Sequence, residues 1–417
     1  MSETSGAYDK PFWQEATPDT FQPGAEHPLQ ARLQPLYDKS GDVRSAFARD
    51  YTRILHSNSF RRLKHKTQVF FNGAGNDHIC TRIEHVAHVE SVANTIARTL
   101  GLNQDLVKAI AMGHDLGHAP FGHLGEKILT KVSGEPFWHE RNGLYLVDRV
   151  ELLPDHQNRY HNLNLTYAVR DGIVSHCGEI DQNGIQRRRE LIDLSEFDRP
   201  GKYQAATWEG CVVKLSDKIA YLGRDIEDAV TLGYLGHQEL DELHALARRY
   251  GRTDALNTSS IMHGLITDLC RHSNPQDGLR FSDEANDLLN AIKKFNYRYI
   301  YDHPRLAPYR HYAELVIQEV FNYLMGLYGG EDTLHRLYAR QGREFKFVEV
   351  FREWLRCYCL TEIAPKDQQC LLRENYLNEK IYGDLSDERD YRRAVTDFIA
   401  GMTDPFACKS FQELLEN

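Results

Sequence analysis

The chain has 417 residues, 41% of them hydrophobic, and 60 acidic against 50 basic side chains give a formal net charge of −10. That is enough apolar material for one large domain or two ordinary ones. The acidic balance argues against a protein whose whole surface coats nucleic acid, because phosphate binding needs a basic face.

The opening MSETSGAYDKPFWQEATPDTFQPG has neither a basic n-region nor an apolar h-region, so no signal peptide is expected. No apolar run reaches the ~18 residues of a membrane span. The eight cysteines are scattered, with one C-x-C at Cys357 and Cys359, Cys370 further on, and no C-x-x-C. This pattern predicts a reduced thiol set in a soluble, cytoplasmic protein.

Residues 1–41 are polar and proline-punctuated and read as an arm that packing on the body would order. From residue 42 the helical period dominates. DVRSAFARDYTRILHSNSFRRLKHK reads as helix, and TQVFFNGAGNDH as a short extended piece with a Gly-rich turn. TRIEHVAHVESVANTIARTLGL is a strong helix with a glycine stop, and NQDLVKAIAMGHD is another, capped by Asn103. Residues 207–232 read as one long helix. The remainder, 236–417, is mostly helical, with turns near HSNPQDG, YDHPRLAP, GLYGGED and CLTEIAPKD. Sustained β alternation is absent, so the fold class is all-α.

The chemistry concentrates in residues 112–127, MGHDLGHAPFGHLGEK. Neighbours on a helix point about 100° apart, so His114 and Asp115 reach one ion only at a helix terminus. Gly117, Pro120 and Gly122 supply such a terminus and turn the chain into a second helix. His85 lies on one stripe with Val89, Val92 and Ile96, so it points inward. A lone histidine there is more often a core residue than a ligand. In TWEGCVVKLSDKIAYLGRDIEDAV, the residues Val212, Leu215, Ile219, Leu222, Ile226 and Val230 form an apolar stripe, and Asp217, Tyr221, Asp225 and Asp228 lie on a different face. That polar face suits bulk water or a cavity lined toward a metal at Asp217. Two histidines and two carboxylates make a mixed N/O set that suits Mn²⁺, Fe²⁺, Co²⁺, Ni²⁺ or Zn²⁺ and tolerates Mg²⁺. His123 and Glu126 stand i, i+3 on a helix beginning after Gly122, a spacing that lets a carboxylate orient an imidazole for acid/base work; an ordinary surface pair has the same spacing.

His85, His114-Asp115 and Asp217 match an H…HD…D signature. With RDYTRILHSNSFRRLKHKTQVF, TRIEHVAHVE, RDGIVSHCGE, WEGCVVKLSDKIAYLGRDIEDA and DFIAGMTDPFA around it, the chain resembles the deoxyguanosine triphosphate triphosphohydrolases, a family of HD-domain phosphohydrolases. The resemblance is dense over 42–235 and returns near 391–407. It implies an HD helical fold over 42–235, with additional C-terminal helices over 236–417 that complete a nucleotide pocket and oligomer interfaces. It also implies one divalent ion per active site, Mn²⁺ or Mg²⁺ foremost, and hydrolysis of a dNTP to deoxynucleoside and triphosphate. Carried over residue by residue, the ligands are His85, His114, Asp115 and Asp217, and the catalytic pair is His123 with Glu126. The phosphate contacts are Arg82, His118, His139 and Lys218. Tyr221 would stack on the sugar, where it leaves no room for a 2′-hydroxyl, while Asp225 and Gln68 would bind the 3′-hydroxyl. The resemblance further implies a homo-oligomer, from tetramer to hexamer, and control by a regulatory dNTP.

Pro405 departs from the basic or bulky residue expected there. The charge runs RRLKHK (61–66) and IQRRRELID (185–193) suit a regulatory nucleotide or single-stranded DNA, or else a solvated face. Rival readings are another HD phosphohydrolase or phosphodiesterase, or a nucleotide-sensing or single-stranded-DNA-binding protein of the same fold. A (p)ppGpp hydrolase would favour HDxxED, where this chain has Leu116-Gly117-His118-Ala119.

Overall fold

Capping chemistry sets the helix ends. The helix Arg82–Leu100 opens with a capping box between Thr81 and Glu84 and stops at Gly101, whose φ of 82° is left-handed. Asn103 accepts from the Leu106 amide at 3.0 Å to start Gln104–Gly113, and Thr207 accepts from Gly210 at 3.1 Å to start Trp208–Thr231. The computed structural model describes residues 10–18, 27–36, 41–70, 79–177, 183–250, 257–340, 342, 344–360 and 375–416, and helices dominate them.

Two local readings need correction. The run expected as one helix over 42–66 breaks at Ser57, whose hydroxyl accepts from the Phe60 amide at 3.1 Å. The result is Ala46–His56, then Asn58–Arg62, then a 3₁₀ turn at Leu63–His65. Serine competes for backbone donors in this way. A small antiparallel pair, Leu152–Pro154 with Tyr160–Asn162, also occurs, with Leu153 opposite His161. Strands of three residues are too short to show a period of two. The Gly-rich segment 71–78 lies outside the described residues.

The chain forms two compact units. The first comprises Met1–Leu55, Asn72–Asp115 and Leu165–Leu306. In it, Arg82–Leu100 packs on Gln104–Gly113 and Trp208–Thr231, and Tyr167–Ser175 lies against the last two. The described part of the N-terminal arm is packed down: Phe12 is fully buried, with its ring 4.8 Å from that of Trp208. The Glu209 carboxylate accepts from the Thr17 amide and hydroxyl, both at 3.0 Å, and from the Asn103 amide at 3.0 Å.

The second unit comprises His56–Phe71, Leu116–Asn164 and Ala307–Asn417. Ala307–Met325 packs on Gly122–Ser133, Glu388–Ala400 and Asp404–Leu415. The core of this unit is aromatic, with Phe121, Phe347, Phe351, Tyr382 and Tyr391 buried together; each such side chain contributes about 1.5–3 kcal/mol by leaving water. Cys357 ends the helix Lys346–Arg356 and Cys359 is buried, so the C-x-C serves packing. The chain passes from the first unit to the second between Asp115 and Leu116. Among the described residues, no helix is long and apolar enough to cross a membrane.

Candidate active site

The helix Gln104–Gly113 ends at His114, which is its C-cap and fully buried. His114 Nδ1 lies 2.6 Å from the Ala111 carbonyl. A carbonyl only accepts, so Nδ1 carries the proton and Nε2 presents its lone pair. That Nε2 is buried and has no hydrogen-bond partner. Asp115 Oδ1 stands 3.5 Å from it, and the His85 ring, from Arg82–Leu100, lies edge-on to the His114 ring with the two centroids 5.7 Å apart. His85 Nε2 lies 3.9 Å from Asp115 Oδ2 and 2.9 Å from Asp217 Oδ1. Two helices of the first unit therefore bring the donor atoms of His85, His114 and Asp115 within 4.8 Å of one another, a third adds Asp217 beside His85, and the orphaned lone pair fits a divalent cation there.

The electrostatics agree. Burial pushes the Asp217 carboxyl up, but the bond and charge of His85 outweigh this and hold it at about 2. Burial pulls the His85 pKa down, yet Asp217 and then Asp115 leave it above its ordinary value. The same carboxylates that favour a proton on His85 would favour a cation, which is how metal and proton compete. Arg82 is buried and donates to Asp115 Oδ2 at 2.8 Å, so it clamps that carboxylate and balances part of its charge.

Further along Trp208–Thr231, the polar face is not open to bulk water. Asp225 and Asp228 are buried, Asp217 keeps 19% of its side chain exposed, and Lys218 and Tyr221 are half-buried. Asp228 accepts from the Cys80 amide at 3.1 Å and faces Arg224, so its role is structural. Asp225 accepts from the Tyr301 hydroxyl at 2.5 Å, and burial pushes its carboxyl up to about 7. The apolar stripe ends earlier than expected: Val230 is 43% exposed, and Ala229 turns inward in its place.

In the second unit, a loop and two helices gather the other candidates. His123 Nδ1 lies 3.2 Å from Glu126 Oε1, which leaves Nε2 on the outer edge of a ring that is 68% exposed. Glu126 also faces His139 Nδ1 at 3.1 Å, and the His118 and His139 rings pack with centroids 3.7 Å apart. Burial raises the Glu126 carboxyl, but His139 and His123 overcome it and hold the group well below the carboxylate range. The intervening loop is built tightly. Phe121 (φ 64°) and Gly122 (φ 59°) are both left-handed, an arrangement that costs a non-glycine residue about 1–2 kcal/mol. A Cβ on Gly117 would fall 1.9 Å from the His139 carbonyl oxygen, so only glycine permits that approach. Asp404 accepts from the Phe121 amide at 2.9 Å and the Thr67 amide at 2.9 Å. Buried Lys66 donates to the carbonyls of His118 and Ala400, and Asn142 donates to that of Gly117 at 2.7 Å. Gln68 lies in this unit, half-buried.

A family model described as HD domain matches residues 82–222, and one described as phosphohydrolase-associated domain matches 279–346 and 360–413. The chain is 38% identical over 291 residues to a deoxyguanosinetriphosphate triphosphohydrolase-like protein of Desulfatibacillum aliphaticivorans, covering 68% of this chain and 74% of that one. It is 30% identical over 396 residues to the protein so named in Caldanaerobacter subterraneus subsp. tengcongensis, covering 94% and 92%. The protein so named in Clostridium tetani is 35% identical over 293 residues, covering 70% and 76%. The chain belongs to the deoxyguanosinetriphosphate triphosphohydrolase-like family of HD-domain phosphohydrolases.

Against that family assignment, sequence reasoning passed over several residues. His176 packs its ring edge-on to His114 at 5.0 Å, with Nδ1 2.7 Å from the Ile173 carbonyl; RDGIVSHCGE contained it, but one histidine after an apolar run carries no signal of its own. Tyr301 reaches Asp225 from a π-helical turn 76 positions away. The dGTPase-like motif DFIAGMTDPFA proves to carry its weight at Asp404. Pro405 occupies the first turn of Asp404–Leu415, where a missing N–H costs nothing. The charge runs are partly engaged within the protein, while Arg189 stays exposed. Arg188 pairs with buried Asp171 at 2.5 Å, and Arg62 pairs with Glu151 at 2.7 Å. Arg61, Lys64 and His65 remain exposed.

Proposed function

We propose that the chain is a divalent-metal-dependent triphosphohydrolase that cleaves a dNTP, dGTP foremost, to deoxynucleoside and inorganic triphosphate. The observation that carries this reading is the cluster of His85, His114 and Asp115, whose donor atoms lie within 4.8 Å of one another beside the orphaned Nε2 of His114, with Asp217 joined to it through His85 at 2.9 Å. A divalent ion held there, Mn²⁺ or Mg²⁺ foremost, would supply Lewis acidity and neutralise phosphate charge. Water adds to the α-phosphorus, the bond to the 5′-oxygen breaks, and that oxygen takes a proton.

The reading assigns proton transfer to His123. Glu126 Oε1 stands 3.2 Å from Nδ1, close enough for a carboxylate to orient the ring and leave Nε2 to hold or release the proton. Arg82 aims Asp115 through its 2.8 Å bond and, with His118, His139 and Lys218, makes the phosphate contacts. Tyr221 and Asp225 follow Asp217 at one-turn intervals on one helix face, an order that suits phosphate, then sugar, then 3′-hydroxyl, with Gln68 as the other 3′-hydroxyl contact. Assembly as a homo-oligomer of four to six copies, with control by a regulatory dNTP, belongs to the same reading through the family resemblance, and the charge runs at 61–66 and 185–193 add single-stranded DNA as a candidate partner.

The test is product analysis by chromatography. Purified protein is incubated with each dNTP and with GTP in Mn²⁺ or Mg²⁺, beside Asp115→Ala. Deoxynucleoside plus intact triphosphate, lost in the variant, is expected. Release of pyrophosphate and monophosphate would sink the reading.

A further inference from the structure

The second unit holds a donor set that the reading above uses only for proton transfer and phosphate contact. His118, His123, Glu126 and His139 each bring one ligand-competent atom into a group whose members lie within 4.8 Å of one another. Glu126 Oε1 is the hub, 3.2 Å from His123 Nδ1, 3.1 Å from His139 Nδ1 and 3.8 Å from His118 Nε2. Nitrogen and oxygen donors bound tetrahedrally at about 2.0–2.1 Å lie roughly 3.3 Å from one another. The hub distances therefore already approximate the edges of such a cage.

Protons alone satisfy this cluster poorly. The three imidazoles share the Glu126 carboxylate, with buried Glu140 only at the edge of the group, 3.5 Å from His139 Nδ1, and the buried rings of His118 and His139, 3.7 Å apart, cannot both carry charge cheaply. One dication among neutral imidazoles resolves that conflict. The backbone is already fixed for it, because Lys66, Asn142 and Asp404 hold the loop from Gly117 to Phe121. His123 is the one exposed member, and it gives an ion a way in.

We propose that His118, His123, Glu126 and His139 form a second metal site, selective for an imidazole-preferring transition ion such as Zn²⁺. Its three nitrogens and one oxygen differ from the two-and-two set at His85, His114, Asp115 and Asp217, which suits harder ions. An ion in the second site takes Nδ1 of His123 and the carboxylate that orients it, so occupancy stops turnover. That last consequence rests on the hydrolase reading; the binding does not.

The experiment uses full-length protein stripped of metal, loaded with Zn²⁺, desalted and measured by elemental analysis. Wild type is expected to hold two zinc ions per chain, and His123→Ala and Asp217→Ala one each. Asp217→Ala loaded with Co²⁺ should show the strong visible bands of a four-coordinate ion, and the double variant should lack them. His123 is exposed, so its substitution spares the fold, and circular dichroism checks this. A single zinc in wild type that Asp217→Ala loses and His123→Ala keeps would overturn the proposal, as would two zincs retained in His123→Ala. In parallel, dGTP turnover in Mn²⁺ should fall as Zn²⁺ is added. Two zincs that bind as described but leave turnover untouched would remove His123 from the hydrolase reading and leave the metal site standing.

Discussion

The two donor sets are built by opposite means. In the first unit, long helices do the positioning. His85, His114 and Asp217 sit on or at the end of helices whose apolar faces are buried for most of their length, and each side chain inherits the rigidity of its helix. In the second unit, His118 lies on a strained loop, and that loop holds its course because Lys66, Asn142 and Asp404 bond its backbone. The first site is thus a by-product of a core, whereas the second needs dedicated braces. Damage to the first should cost stability and chemistry together, while the second allows the two to be separated.

The largest effect should come from Asp115→Ala. It removes a metal ligand and leaves the buried Arg82 guanidinium without its carboxylate, a situation that costs ~3–5 kcal/mol. Thermal unfolding should move down together with loss of product, and a variant that keeps wild-type melting would break the comparison. His123→Ala should lower turnover by roughly 10²–10⁴ and leave the melting temperature nearly unchanged, because the ring is exposed. Steady-state assay beside calorimetry reads both.

Asp404→Ala tests the braces. It strands the amides of Thr67 and Phe121 and should destabilise by ~2–4 kcal/mol. Hydrogen exchange should accelerate around 117–122, and unchanged protection there would show the loop to be held by packing alone.

The smallest effect concerns Asp225. Its folded pKa of about 7 lies above the ordinary 3.8, so the folded state holds a proton that the unfolded state releases. Its stabilising share is fully present below about pH 4 and is lost as pH rises through 7. Between pH 5 and 8, metal-free wild type should lose ~2–3 kcal/mol relative to Asp225→Asn, by linkage. Denaturant midpoints at the two pH values measure the gap, and a gap that does not widen refutes the shift.

How much of this was legible depended on the range of the contact. The helices Arg82–Leu100 and Gln104–Gly113 announce themselves through Asn103, Gly101 and the stripe through His85, because caps and period are local. Local spacing also pairs His123 with Glu126. Other features lay beyond reach. Tyr301 meets Asp225, and Asp404 meets Phe121, across separations that no pattern encodes. The break at Ser57 was missed because an apolar period continues through it, while the decision rests on one hydroxyl. The ligand quartet itself was named through family resemblance; periodicity alone placed His85 in a core.

The bond between Asp404 and the amides of Thr67 and Phe121 also has a meaning in time. It joins positions 337 and 283 residues apart. A ribosome emits its chain from the N-terminus, so Thr67 and Phe121 are made long before the carboxylate that seats them. The histidine loop of the second unit therefore cannot reach its final form on a nascent chain that lacks the Asp404–Leu415 helix, and this part of the protein matures only after that helix has been made.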